Sequence, residues 1–313
     1  MTEAAASITA ESGPSGYGMS PGSAVSSGSA ASSRAGVASS RARTAPLPEP
    51  LPGEVFDSHC HLDMIERPPG QVVADANAVG ITRMITVGCD LPSSRWAAAC
   101  AAEHEPVYAA VAIHPNETAA AAALPSGAAT VLAEIAALAA LPQVRAVGET
   151  GLDYYRDTSD PSVQRDWFRA HIAIAKQAGK PLMIHDREAH ADVLRLLDEE
   201  GAPEQVVFHC FSGDEVMAKR CAEAGYVMSF AGNVTFASAQ QLRDAAAAAP
   251  ADLILVETDA PFLTPVPHRG KPNSPAMVAH TLRCIAEVKQ MDVAELCAAI
   301  ASTGERVFGP WQA

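Results

Sequence analysis

The sequence lacks paired cysteines. Its 7 Cys are an odd number, scattered without any Cys-x-x-Cys spacing, which argues against a disulfide framework and a four-thiolate zinc site and points to a reducing compartment. It also lacks an excess of positive charge: 22 Lys and Arg face 36 Asp and Glu, for a formal net charge of −14. A broad basic surface for gripping nucleic acid is thereby excluded, so a nucleic-acid role has to rest on a local positive site. No run approaches the roughly 18 apolar residues that span a bilayer. The N-terminus has no basic stretch followed by an apolar one, so a secretory signal is not expected. A cytoplasmic protein without membrane association follows. Finally, no Gly-rich fingerprint follows the first candidate strand, which argues against an open, doubly wound nucleotide-binding sheet.

What is present is enough apolar material, 48% of 313 residues, for one large domain or two small ones. Residues 1 to about 50 are rich in Ser, Ala, Gly and Pro, with few large apolar side chains such as Ile8, Tyr17 and Leu47. Arg34, Arg41 and Arg43 there balance Glu3, Glu11 and Glu49, so the rest of the chain carries the acidity. Such a segment buries too little surface to offset its ordering entropy, and a disordered extension is expected.

From Glu54 to about residue 310 the pattern changes. Short β-rich runs alternate with Ala-rich helical stretches. The candidate strands are Val55–Cys60, Arg83–Val87, Val107–Ile113, Arg145–Gly148, Leu182–Ile184, Val206–Phe208, Tyr226–Phe230 and Leu253–Val256. They are nearly continuous in apolar residues, as parallel strands buried on both faces are. Pro161 opens a helix through Ala178 with Gly179 at its end, and a last helix runs from about Val293 to Val307. Eight strand–helix units predict a single α/β domain, a (β/α)8 TIM barrel over residues 54–310.

The chemistry collects at strand ends. In Asp57-Ser58-His59-Cys60-His61 the two imidazoles lie two residues apart and so share one face of a strand. Alone, His-x-His is a weak signal. The fourth strand, however, runs into Gly148-Glu149-Thr150-Gly151-Leu152-Asp153, the fifth into His185-Asp186-Arg187, the sixth into His209-Cys210-Phe211-Ser212-Gly213 and the eighth into Glu257-Thr258-Asp259-Ala260-Pro261. In a barrel these ends converge on one mouth. Each residue taken singly has a bland role, a cap or a core histidine, but four histidines and two carboxylates at strand ends predict a metal site. Nitrogen and carboxylate oxygen without thiolate suit Zn²⁺, Mn²⁺, Fe²⁺ or Mg²⁺. Six ligands are too many for one catalytic tetrahedral ion. Two ions bridged by Glu149 accommodate them, and a pair roughly 3.5–4 Å apart suits phosphodiester hydrolysis.

These motifs, in this order, resemble those of the TatD family, together with Ile113-His114-Pro115 after the third strand and His268-Arg269-Gly270-Lys271-Pro272-Asn273 after the eighth. The resemblance covers about Val55 to Gly309. It implies a barrel of the metal-dependent hydrolase superfamily and a divalent-metal deoxyribonuclease, often a 3′→5′ exonuclease. By position it implies His59, His61 and Glu149 on one metal, and Glu149, His185 and His209 on a second. Asp259 would bind a metal and orient or deprotonate the attacking water, so Glu149 and Asp259 are the expected catalytic pair. The cofactors are expected to be two divalent ions, Mg²⁺, Mn²⁺ or Zn²⁺. The chain departs from the usual pattern at Asn116, Pro272, Ser274 and Thr303, none of them a ligand.

Arg187, two residues after an expected ligand histidine, is expected to bind substrate phosphate together with His114 and Arg269. Tyr154 and Tyr155 are expected to anchor a loop rather than stack a base. An acidic surface repels a long duplex, while two cations reverse the sign locally. Short, single-stranded or end-bound DNA is therefore the expected partner, with no obligate protein partner. The rival function is a related barrel hydrolase acting on an ester or amide, such as an aminoacyl-tRNA deacylase. Many amide- and lactone-cleaving relatives bridge their metals with a carboxylated Lys on the fourth strand, where this chain has Glu149. A non-catalytic protein that kept the fold is opposed by the intact ligand set.

Overall fold

All eight runs are strands in the computed structural model of the protein, which describes residues 45–310. They are β1 (Val55–Cys60), β2 (Ile81–Val87), β3 (Val107–Val111), β4 (Val144–Asp153), β5 (Leu182–Arg187), β6 (Val206–Phe208), β7 (Val227–Phe230) and β8 (Ile254–Val256). Each pairs in parallel with the next in chain order. The seam between β8 and β1 is closed by a parallel bridge from Cys60 to Ala260. Around it Asp259 N donates to His59 O at 2.9 Å and His61 N to Ala260 O at 2.7 Å. The fully buried Asp57 carboxylate accepts the Thr258 amide at 2.9 Å and the Thr258 hydroxyl. Side chains thus complete a ladder that the short β8 leaves unfinished.

The helices are α1 (Pro69–Asn77), α2 (Leu91–Glu103), α3 (Thr118–Ala122), α4 (Ala128–Ala139), α5 (Pro161–Ala178), α6 (His190–Glu200), α7 (Glu215–Glu223), α8 (Gln240–Ala248), α9 (Val278–Lys289) and α10 (Val293–Phe308). Local signals set α5 as expected. The Asp160 carboxylate accepts the Ser162 amide, Pro161 fills the first turn, and Gly179 ends the helix at φ 63°. Its buried residues Trp167, Phe168, His171, Ile172 and Ala175 recur at helical spacing and face the barrel. On α10 the Cα of Gly304 lies against the Phe56 ring of β1: a Cβ there would come within 1.7 Å of Phe56 Cε1. Phe308, one turn on, meets the same ring edge to face at 5.9 Å.

The strands β4 and β5 run past their expected ends. The fourth strand was expected to end at Gly148, yet β4 continues through Gly148 and Gly151 to Asp153. A Cβ on Gly148 would meet Met183 Cβ at 2.5 Å, and one on Gly151 would meet the His185 carbonyl at 2.1 Å. These glycines serve the close approach of β5, not chain reversal. A register shift between Val147 and Thr150 places an extra residue there.

The expected disordered extension, residues 1–50, lies outside the described residues up to residue 44. Of the remainder, Pro48 is buried, and the carbonyls of Glu49 and Pro50 accept the Arg283 guanidinium at 2.8 and 3.1 Å. Contact with the barrel thus begins by Pro48. Among the described residues no helix is long and apolar enough to cross a membrane.

Candidate metal centre at the barrel mouth

A cavity of about 520 Å³ opens at the C-terminal ends of the strands. At its floor stands the Glu149 carboxylate, with a donor set on each oxygen. Its Oε2 lies 3.5 Å from His59 Nε2 and 3.9 Å from His61 Nε2. Asp259 Oδ1 faces the same two imidazoles at 3.9 and 3.5 Å. On the other side, Oε1 lies 2.7 Å from His185 Nδ1 and 2.9 Å from His209 Nε2. The six side chains expected as ligands, drawn from β1, β4, β5 and the turns after β1, β6 and β8, therefore share one pocket. Two triads with mutually close donor atoms, His59–His61–Glu149 and His59–His209–Asp259, are composed of them.

Neighbouring acceptors fix which ring nitrogen faces the pocket. His61 Nδ1 donates to Val87 O at 3.0 Å and His209 Nδ1 to Glu257 Oε1 at 2.9 Å. His185 Nε2 donates to Asp153 Oδ2 at 3.3 Å. The remaining nitrogens, Nε2 of His61 and His209 and Nδ1 of His185, face the carboxylates and are the ones a cation between them would take. His59 Nε2 and His61 Nε2 are 3.2 Å apart, close enough for both lone pairs to reach one cation. The donor chemistry fits divalent ions.

Charge in the pocket is set by competition between burial and neighbours. Burial opposes ionisation of Glu149, but His209, His114 and His185 outweigh it and hold the carboxyl well below the usual carboxylate range. Burial likewise opposes charge on Asp259, and His61, His209 and His59 overcome it. Asp259 sits at φ 51°, a left-handed conformation that Asp tolerates better than most residues.

A third triad, His114–Glu149–His185, also has close donor atoms. His114 differs from the other histidines, however. Its Nδ1 accepts the Asn116 amide at 3.1 Å, so the neutral ring carries its proton on Nε2, 3.4 Å from Glu149 Oε1. Burial lowers the His114 pKa and keeps the ring neutral. The ring presents a hydrogen-bond donor to the cavity, which suits an oxyanion better than a metal.

Of the other expected contacts, Arg187 lines the cavity and Arg269 does not. Among the described residues Arg187 has no carboxylate within ion-pair distance; its guanidinium lies over the Tyr155 ring at 3.9 Å. Arg269 instead stacks on Phe236 at 4.2 Å. The two tyrosines part company. Tyr154 is a loop anchor, its hydroxyl donating to Asp192 at 2.6 Å, while Tyr155 is 60% exposed beneath Arg187.

Several residues escaped the sequence reading. Asp153 is buried and accepts from His185, from Asn116 Nδ2 at 3.1 Å and from the Tyr155 and Arg156 amides at 3.0 Å. Burial resists its charge, but these bonds hold its pKa down. Extending β4 to residue 153 would have put Asp153 on the Glu149 face by the period of two. Glu257 was not assigned a role, and nothing local marks it as the partner of His209. Asn273 is buried and ties the loop after β8 to Thr258 O at 3.0 Å. Cys89 Sγ lies 3.8 Å from both His61 Nδ1 and Glu149 Oε2; burial pushes its pKa up, so it stays a thiol. Thr303 is buried on α10 and donates to Asp252 O at 3.1 Å, a packing role, as its place on the last helix suggested.

An eight-stranded parallel barrel with imidazoles and carboxylates gathered at its C-terminal mouth is the architecture of a metal-dependent hydrolase. Residues 56–309 match the family model described as TatD related DNase, and the chain belongs to the TatD family of metal-dependent hydrolases. It is 44% identical over 264 residues to the uncharacterized metal-dependent hydrolase TatD of Mycobacterium tuberculosis, covering 82% of this chain and 98% of that one. It is 37% identical over 258 residues to the uncharacterized metal-dependent hydrolase YabD of Bacillus subtilis, covering 81% and 98%. Among solved structures it is similar to YJJV, a TatD homologue from Escherichia coli, with a TM-score of 0.74 and 26% identity over 82% of this chain and 98% of that one.

Proposed function

We propose that the protein is a divalent-metal-dependent deoxyribonuclease that removes nucleotides in the 3′→5′ direction from short, single-stranded or end-exposed DNA. The observation that carries this reading is the two-sided Glu149 carboxylate, with His59 and His61, which Asp259 also faces, on one oxygen and His185 and His209 on the other. His59, His61, Glu149 and Asp259 would hold one Mg²⁺, Mn²⁺ or Zn²⁺ ion, and Glu149, His185 and His209 a second. When bound, such ions supply Lewis acidity, acidifying water and offsetting phosphate charge.

The chain's own groups do the rest. Asp259, the more accessible carboxylate with a side chain 16% exposed against 6% for Glu149, takes the proton of the attacking water. The His114 Nε2 proton and the Arg187 guanidinium receive the phosphate's non-bridging oxygens, positioned before reaction and so stabilising charge as it develops. The water oxygen bonds to phosphorus as the bond to the 3′ oxygen of the preceding nucleotide breaks, and that oxygen takes a proton from solvent as it leaves. Arg269, stacked on Phe236 away from the cavity, is left out of this scheme. A cytoplasmic location is supported by seven free thiols, which an oxidising compartment would tend to pair.

The test uses metal-stripped protein and end-labelled single-stranded DNA, with and without Mg²⁺, Mn²⁺ or Zn²⁺, and repeats it with Asp259→Asn and Glu149→Gln. A metal-requiring ladder from the 3′ end, absent in both variants, is expected. Equal degradation by the variants, or metal-dependent cleavage of an aminoacyl ester with DNA left intact, would overturn the reading.

A further inference from the structure

A second cavity, of about 540 Å³, opens at the opposite end of the barrel. Arg145 stands near the start of β4, Lys180 just before β5 and Gln205 just before β6, while α5 and α10 bring in Lys176 and Arg306 near their C-terminal ends. Four cations therefore surround one cavity in a chain of net charge −14.

Among the described residues, none of the four has a carboxylate within ion-pair distance. The one carboxylate on the cavity wall, the exposed Glu204, pairs with none of them. All their partners are neutral. Lys180 Nζ donates to Leu141 O at 2.6 Å and to Val144 O, and Lys176 Nζ to Glu200 O at 2.8 Å. Arg306 donates to Asp252 O at 2.6 Å and Gln205 Oε1 at 3.2 Å. Arg145 reaches Phe308 O at 3.4 Å, Pro310 O at 3.3 Å and the Tyr108 hydroxyl at 3.2 Å, lies over the Tyr108 ring, and keeps its Nε buried without a partner. Arg169, elsewhere on α5, shows the contrast: it is paired with both Glu199 and Glu200. Carbonyls orient the cavity's cations without neutralising them; Lys176 and Arg306 are exposed, whereas Arg145 and Lys180 are half-buried, where neighbouring like charges are costly unless an anion joins them. The strain shows at Lys180, which burial and the neighbouring Arg145 push down to about 8.

We propose that this cavity binds a phosphate dianion, either free inorganic phosphate or the phosphate of a monoester, on Arg145, Lys176, Lys180 and Arg306. Two guanidinium forks and two ammonium groups match an oxyanion with several acceptor oxygens, and the volume lies in the range of small-ligand sites.

The test is calorimetric titration of inorganic phosphate into the metal-stripped full chain at constant ionic strength. One saturable site is expected in the wild type. Lys180→Met and Arg306→Gln should each weaken it at least 10-fold, while Arg187→Gln, at the other mouth, leaves it unchanged. Should Lys180→Met fail to fold by circular dichroism, Lys176→Gln, which gives up a single contact to a carbonyl, takes its place. Absence of saturable binding, equal affinity in the variants at this cavity, or loss only in Arg187→Gln would overturn the proposal. Deoxycytidine 5′-monophosphate titrated in the Arg187→Gln background separates the two sources. Binding at least 10-fold tighter than inorganic phosphate assigns a monoester, and equal binding assigns the phosphate group alone.

Discussion

His209 Nδ1 donates to Glu257 Oε1 across 2.9 Å, and the same oxygen accepts the Cys210 amide at 2.8 Å. One fully buried carboxylate on the strand-8 turn thus fixes the tautomer of His209, 48 positions earlier, and the backbone amide of the residue after it. Glu257→Gln keeps an acceptor and loses the charge that makes the imidazole a strong donor. Divalent-metal affinity should fall by about 10-fold, at the low end for the partners of metal-binding histidines. Competition with a chromophoric chelator measures it, and an affinity equal to the wild type would count against Glu257 acting through His209.

His171 accepts the Ile113 amide on Nε2 at 3.0 Å and donates from Nδ1 to Trp167 O at 2.7 Å. The neutral ring satisfies both bonds; a proton on Nε2 would break the first. Burial pushes the His171 pKa down from 6.5 to about 4. The unfolded chain therefore takes up this proton first, and stability falls as pH drops from about 6.5 to about 4, then levels off. The shift corresponds to about 3 kcal/mol. Urea midpoints from pH 7 to pH 4 should fall less steeply in His171→Gln than in the wild type, and parallel curves would refute it.

Gly304 has no room for a methyl group against Phe56. Gly304→Ala should lose about 1–3 kcal/mol of stability through overpacking. Phe56→Leu should recover part of that loss in the double variant, because the two residues share one contact. Chemical denaturation of the four proteins closes the cycle, and strictly additive losses would show that the two do not compete for space.

Arg187 should act on substrate and not on metal. Arg187→Gln is expected to lower kcat/KM on a phosphodiester by about 10- to 100-fold, the worth of a charge-assisted contact to phosphate, while metal affinity changes less than about 2-fold. Tyr155→Ala should have a smaller effect, since an exposed cation–π contact contributes only about 0.5–1 kcal/mol. A variant that loses metal and activity together would reassign Arg187 to support of the centre.

The barrel was legible because its signals are local. Short apolar runs such as Val206–Phe208, too short for a helix and recurring between helical stretches, mark strands buried on both sides, and Asp160-Pro161 with Gly179 marks a helix at both ends. The gathering of the six candidate ligands was legible for a related reason: strand ends in a barrel converge, so spacing along each strand stands in for distance. Partnership is different in kind. Gly148 and Gly151 have no local reason to be glycine until Met183 and His185 are seen pressing on them. Asp153 and Glu257 acquire their roles from His185 and His209, 32 and 48 residues away. The cations Arg145, Lys176, Lys180 and Arg306 draw no notice until strand order brings them around one cavity whose single carboxylate, Glu204, pairs with none of them. A chain encodes periodicity and caps within a few residues, whereas contact between distant side chains exists only once the sheet has closed.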